Sequence, residues 1–236
     1  MKSRRIVVVG NSHVQSLTNA IAKNAEFNNL FDVYWLKVGK AGLKNGDLAV
    51  EDARALVKDL NDNDILVFSL LGTVHNSLNL FEHDVPFDFH YSHFDVDINR
   101  CIIPKQVIVE TIISLSQGML SLIRDIMGNT KCRVYNLPPP PPKDADEMIT
   151  NFVARKGRLD FKVAPATFRL KMWQLECDVV NELATEESIC NLGIPDIVRS
   201  KDGFLEPNYY QMDSTHANFK YGNIILKNLT KVYDGE

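Results

Sequence analysis

Apolar positions along this chain fall into two alternating patterns. Short, nearly unbroken runs occur at residues 6–9, 31–38, 64–71 and 132–137. Such runs suit strands covered on both faces of a parallel sheet. Between them, apolar residues recur three and four positions apart, the spacing of one helical face. Residues 12–25 carry Val14, Leu17, Ile21 and Ala22 in that register, and residues 48–60 carry Ala49, Ala53, Leu56, Val57 and Leu60. The pattern predicts a long helix over 105–127 stopped by Gly128-Asn129, a short one over 147–154, and a strong one over 164–184 with Phe168, Met172, Leu175, Val179 and Leu183 on one face. A last helix covers 217–229. A fifth strand is expected at 194–199, although Pro195 weakens it.

Alternating buried strands and amphipathic helices predict an α/β protein: a three-layer α/β/α, flavodoxin-like, doubly wound parallel sheet of about five strands. Ligands in such a sheet bind beyond the carboxyl ends of the strands. No internal repeat or interdomain linker stands out, so one domain over residues 1–236 is expected, with an insertion at about 77–104. That stretch is rich in His, Asp, Phe and Asn and keeps no period, as expected of a loop over the strand ends. The prolines at 138–142 forbid helix or ladder bonding and form a stiff extended segment. It shapes a loop, or presents a Pro-x-x-Pro element to a partner.

Composition narrows the function classes. With 236 residues, 45% apolar and 24% charged, the chain can bury a sizeable core. A net charge of −4 with scattered basic residues points away from nucleic acid. Arg4 and Arg5 precede only a short apolar run before Gly10, too little for a secretory signal, and no apolar run approaches a membrane span of about 20 residues. No membrane partner and a cytoplasmic location are expected. Cys101, Cys132, Cys177 and Cys190 have no C-x-x-C spacing and read as free thiols in a reducing compartment. His83, His90 and His93 with Asp84, Asp88, Asp95 and Asp97 match no closed zinc pattern, so neither a metal nor a cofactor is expected. The interleaved Phe87, Phe89, Tyr91 and Phe94 suit a lid over a sugar face, the alternative being an ordinary polar insertion.

Two segments carry candidate chemistry. Gly10-Asn11-Ser12-His13 places a serine at the tip of the first strand. Asp213-Ser214-Thr215-His216 places a carboxylate three residues ahead of an imidazole, before the last helix. A serine hydroxyl becomes a nucleophile when an imidazole takes its proton, and a carboxylate fixes that imidazole's tautomer. Each residue has a plainer use: Ser12 and Asp213 as helix caps, His216 as a surface residue. His13 is assigned no role. Neither the G-x-G-x-x-G nor the Walker spacing of nucleotide sites occurs near these glycines.

Together these blocks resemble the GDSL/SGNH hydrolases. Gly10-Asn11-Ser12 resembles their Gly-Asp-Ser block, with Asn for Asp, and Asp213–His216 their terminal Asp-x-x-His block. Val38-Gly39-Lys40-Ala41-Gly42 resembles the second block, after strand two. Gly72-Thr73-Val74-His75-Asn76 stands where the third, Gly-x-Asn, follows strand three, but with Thr73 and Val74 where an Asn is expected. The resemblance spans residues 6 to about 229. It implies Ser12 as nucleophile, His216 as general base and Asp213 as its orienting partner. It also implies an oxyanion hole from the N–H groups of Ser12 and Gly42, completed by Asn76, by the Thr73 hydroxyl, or by no side chain. His75, His90 and His93 are expected to contact substrate. The implied activity is a serine esterase acting on a small-molecule or carbohydrate ester. A carbohydrate O-acyltransferase on the same triad and a non-catalytic binding module on a degenerate scaffold are the alternatives. Nothing in the sequence fixes the oligomeric state.

Overall fold

The computed structural model describes residues 5–37, 46–157 and 160–235. In chain order the strands are β1 (Ile6–Gly10), β2 (Phe31–Trp35), β3 (Ile65–Ser69), β4 (Phe87–Asp88), β5 (Cys101–Ile102), β6 (Arg133–Asn136) and β7 (Cys190–Asn191). The helices are α1 (Gln15–Lys23), α2 (Val50–Lys58), α3 (Val74–Asn79), α4 (Lys105–Met127), α5 (Asp146–Arg155), α6 (Ala166–Glu186) and α7 (Phe219–Asp234). Five strands form one parallel sheet in the order β2-β1-β3-β6-β7. The chain thus starts in the middle of the sheet and winds outward both ways, which opens a crevice at the carboxyl ends of β1 and β3.

Side-chain alternation divides the strands between two cores. Val7, Val9, Leu66 and Phe68 pack with Ala53 and Val57 of α2, Leu120 and Ile123 of α4, and Val180 and Ala184 of α6. Ile6, Val8, Ile65 and Val67 pack with Leu17 and Ala20 of α1 and Tyr221, Ile225 and Leu226 of α7. Both faces are covered, so consecutive residues must all be apolar, and the runs at 6–9 and 65–68 follow. Burying each such side chain contributes about 1.5–3 kcal/mol relative to leaving it in water.

Several expectations are corrected. The fifth strand is β7, whose Cys190 and Asn191 pair with Tyr135 and Asn136, not residues 194–199. Pro195 has no N–H for a ladder, and it heads a 3-10 turn over Asp196–Val198 instead. α4 is long and apolar enough, by length and composition, to cross a membrane, contrary to the expectation that no run approaches that length. In this fold its Ile108, Ile112, Leu120, Ile123 and Ile126 are buried. Prolines 138–141 are buried as well. They are therefore not displayed to a partner, and Trp173 Nε1 donates to the Pro139 carbonyl at 3.3 Å.

Residues 73–103 hold more structure than their sequence suggested. They form α3 and a small parallel pair, β4 with β5. The buried Lys171 of α6 fixes the segment, donating to Asp88 Oδ1 at 2.8 Å, the Asp95 carbonyl at 2.7 Å and the Phe89 carbonyl at 3.3 Å. Phe89 packs beside Ile108, Ile112, Phe168 and Met172.

Candidate active site

The nucleophile's position is set by the end of β1. A Cβ on Gly10 would stand 2.2 Å from Val14 Cγ1 and 2.8 Å from the Ser69 carbonyl oxygen, so only glycine lets the chain turn here against β3. Asn11 is extended, and its side chain accepts from the His13 N–H at 3.0 Å. Asn11 therefore takes the capping work that Ser12 would otherwise do. The Ser12 hydroxyl is left to reach across the crevice to His216 Nε2, at 2.7 Å.

The other side is the turn before α7. Asp213 Oδ2 accepts from His216 Nδ1 at 2.8 Å, while Oδ1 accepts from the backbone N–H groups of His216 at 2.8 Å and Thr215 at 3.0 Å. A carboxylate only accepts, so Nδ1 carries the ring proton and Nε2 presents a lone pair to the Ser12 O–H. Helix α7 is capped by Asn218, which accepts from Lys220 and Tyr221 N–H. Asp213 is thereby released from capping. Side-chain exposures of 21% for Asp213 and 28% for His216 leave the pair open to a ligand from one side.

Electrostatics favour the ionised carboxylate. Partial burial pushes the Asp213 pKa up, but hydrogen bonds from the His216 ring and backbone, and the charges of His216 and Lys143, outweigh it and hold the group well below the usual carboxylate range. His13 sits with its ring centroid 4.8 Å from that of His216. Burial first, then the neighbouring His216 and His75, lowers the His13 pKa from 6.5 to about 3. Its Nδ1 is buried and, among the described residues, has no hydrogen-bond partner. A second charge beside His216 is thereby avoided.

The third block is organised by a buried carboxylate from α6. Glu176 is fully buried and accepts from Val74 N–H at 2.8 Å, His75 N–H at 2.7 Å and His75 Nδ1 at 2.6 Å. Negative charge at a helix N-terminus satisfies donors that α3 cannot pair internally. Gly72 precedes this turn at φ +88°, and a Cβ there would lie 2.6 Å from Pro139 Cδ. Thr73 occupies the position before α3 without a side-chain capping bond. Asn76 lines a small recess with His75, Arg169, Ser214 and Thr215, so the third and fourth blocks meet in space. Gly42 and the rest of the second block lie outside the described residues.

The three histidines expected to contact substrate are not gathered on one wall. His75 is buried against Glu176, whereas His90 is exposed. His93 lines a groove of about 890 Å³ with Phe94, Asp97, Arg100, Phe168 and Phe204. Among the described residues, no group of three His, Cys, Asp or Glu is placed to hold a metal ion.

No protein-family model matches the chain, and no curated protein matches it. Solved structures do. A Bacteroides fragilis protein designated an acylhydrolase is 12% identical with a TM-score of 0.50, over 99% of this chain and 88% of that one. The two share a three-layer α/β/α fold around a five-stranded parallel sheet. A GDSL-like lipase from Bacteroides thetaiotaomicron (12% identity, TM-score 0.49, covering 98% of this chain and 88% of its own) is also similar. So is a protein designated an arylesterase from Agrobacterium tumefaciens (15%, 0.46, covering 98% and 99%).

Three residues of the site have no motif that the sequence alone could show. His13 carried no pattern beyond adjacency to Ser12. Glu176 sits within an amphipathic helix, where an acidic residue normally means a solvated face. Lys143 follows a proline run, and nothing in its neighbours in the chain sets it apart from a surface lysine. The available signal for Glu176 was its place between Leu175 and Val179 on the apolar stripe of α6.

Proposed function

We propose that the chain is a serine ester hydrolase working through an acyl-Ser12 intermediate. The observation that carries this reading is the Ser12 Oγ to His216 Nε2 contact of 2.7 Å, backed by Asp213 on the far ring nitrogen. Ser12 Oγ attacks the ester carbonyl while its proton passes to His216 Nε2. The tetrahedral oxyanion collapses, the ester C–O bond breaks, and the leaving alkoxide takes the proton back from His216. Water then repeats the sequence and releases the acid. Asp213 orients the ring and stabilises the transient imidazolium. For the oxyanion, the Ser12 N–H and the Asn76 amide are the donors this reading assigns, with Gly42 contributing from the second block.

The substrate class in this reading is a small acyl ester on a carbohydrate. Phe94, Phe168 and Phe204 line the groove together with Asp95, Asp97 and Lys201, offering both apolar rings and polar groups to a sugar. The same groove supports a second reading, transfer of the acyl group to a sugar hydroxyl in place of water. Hydrolysis of p-nitrophenyl acetate, measured with and without a sugar acceptor, tests both. Acceptor-independent release of acetate, lost in Ser12→Ala, is the hydrolase result, and turnover only with acceptor is the transferase result. A folded protein with no turnover in either condition is a binding module.

A further inference from the structure

We propose that Lys143 is a positioning residue for the catalytic pair, holding the Asp213 turn by its carbonyls and the Asp213 carboxylate by its charge. The inference rests on the hydrolase reading above and adds a residue to its machinery.

The Lys143 side chain is fully buried. Its Nζ donates to the Gln211 carbonyl at 2.7 Å, the Asp213 carbonyl at 2.7 Å and Asp213 Oδ1 at 3.3 Å. An ammonium has three hydrogens, and this one spends them all on one turn of chain. A buried lysine is costly unless paired. A position needing only volume would be filled by Leu or Met. The turn's other bonds are internal, Gln211 N–H to the His216 carbonyl at 3.1 Å and Asp213 N–H to the Gln211 carbonyl at 2.8 Å, and Met212, between the two clamped carbonyls, is 71% exposed and gives no apolar anchor.

Lys143 is fixed from behind. Its own carbonyl accepts from Arg169 Nη1 at 3.0 Å, and Arg169 Nε donates to the Ala164 carbonyl at 2.9 Å while its other nitrogen pairs with Asp146. Lys143 also bridges to Leu205. The buried proline segment delivers the residue rigidly, and α6 locks it. Burial outweighs the charge and hydrogen bond of Asp213, so the Lys143 pKa lies below the ordinary lysine value.

One consequence follows for the reaction. With Oδ1 taken by Lys143, Thr215 N–H and His216 N–H, only Oδ2 is left to orient the imidazole, so the ring has one position. Removing Lys143 frees the turn and lets the carboxylate, and the ring with it, leave that position.

The test is the rate of Ser12 phosphonylation by a fluorophosphonate at neutral pH, in wild type, Lys143→Met and Lys143→Gln, with melting curves to establish folding and the ¹H resonance of the His216 Nδ1–H, which reports its bond to Asp213. The Met variant is expected to label at least about tenfold more slowly and to shift or lose that resonance. The Gln variant keeps donors for the carbonyls, so it regains part of the rate and of the resonance. A resonance that stays in place in folded variants overturns the proposal, whatever the rate, because a merely structural lysine would leave the Asp213–His216 bond as it is. If neither variant folds, the ¹³Cε shift of Lys143 in wild type decides. A charged ammonium through the active pH range supports the proposal, and a neutral amine overturns it. Wild type that never labels at Ser12 rejects the hydrolase reading and this inference together. Wild type that labels, beside variants that label identically, rejects only the role of Lys143.

Discussion

Ser12 and His216 are 204 positions apart in the chain, yet Oγ and Nε2 lie 2.7 Å apart. Parallel strands explain the meeting. β1 ends at the centre of the sheet, and α7 packs back against α1, so the turn before α7 closes over the tip of β1. Removing either partner should abolish turnover without disturbing the core. Ser12→Ala is expected to keep the wild-type melting temperature within a few degrees and to reduce p-nitrophenyl acetate hydrolysis to background. Asp213→Asn offers Nδ1 a donor as readily as an acceptor and can trap the wrong tautomer, at a cost of about 10⁴-fold in turnover. Comparable loss with intact folding supports the triad, and wild-type turnover in Asp213→Asn contradicts it.

Glu176 is the keystone of the third block. Replacing it by Ala leaves the N–H groups of Val74 and His75 and the His75 ring without their buried acceptor. The expected loss is at least about 3 kcal/mol in urea unfolding. Glu176→Gln, which retains one carbonyl acceptor, should lose less. Equal stability of Glu176→Ala and wild type would show that these bonds contribute nothing.

Gly72 tests the joint between the third block and the proline segment. At φ +88°, and with Pro139 Cδ 2.6 Å from any added Cβ, alanine must shift the backbone. Gly72→Ala should cost more than about 1 kcal/mol and also slow labelling of Ser12, since Thr73 to Asn76 would move. A stable variant with unchanged labelling would separate this turn from the site.

Acid should weaken the fold through His13. Its pKa is lowered from 6.5 to about 3, so between those values the unfolded chain binds a proton that the folded chain does not. Stability is complete above about pH 6.5 and falls with decreasing pH toward 3, at up to about 1.4 kcal/mol per pH unit. Asp213 adds a separate loss at lower pH. Its folded pKa lies below the ordinary carboxylate value, so its contribution holds above about pH 4 and disappears as pH falls further. His13→Phe should flatten the upper part of the melting-temperature profile while leaving the lower part, and an unchanged slope between pH 6.5 and 4 is the opposing result.

The sheet and its chemistry were legible in the sequence to different degrees. Strands β1 and β3 announce themselves because burial on both faces forces unbroken apolar runs. β7 did not, since two paired residues leave no period, and the apolar residues at 194–199 misdirected the assignment to a segment that Pro195 turns away from the ladder. α3 and the β4–β5 pair are likewise too short for periodicity, and tertiary contacts from Lys171 and Glu176 stabilise them. At the site, Ser12, Asp213 and His216 could be named because the Gly-Asn-Ser and Asp-x-x-His blocks stand at strand ends in an order that resembles the SGNH/GDSL hydrolases. Lys143 and Glu176 could not. Their roles come from where α6 and the proline segment place them; Lys143 has no local signature, and Glu176 has only its place on the apolar stripe of α6.

The most direct measurement is intact-mass analysis of the folded protein after fluorophosphonate treatment, with the adduct mapped to a peptide. One adduct per chain on Ser12, absent in His216→Ala, is the predicted result. A folded protein that gains no adduct, or gains it equally without His216, would contradict an activated Ser12.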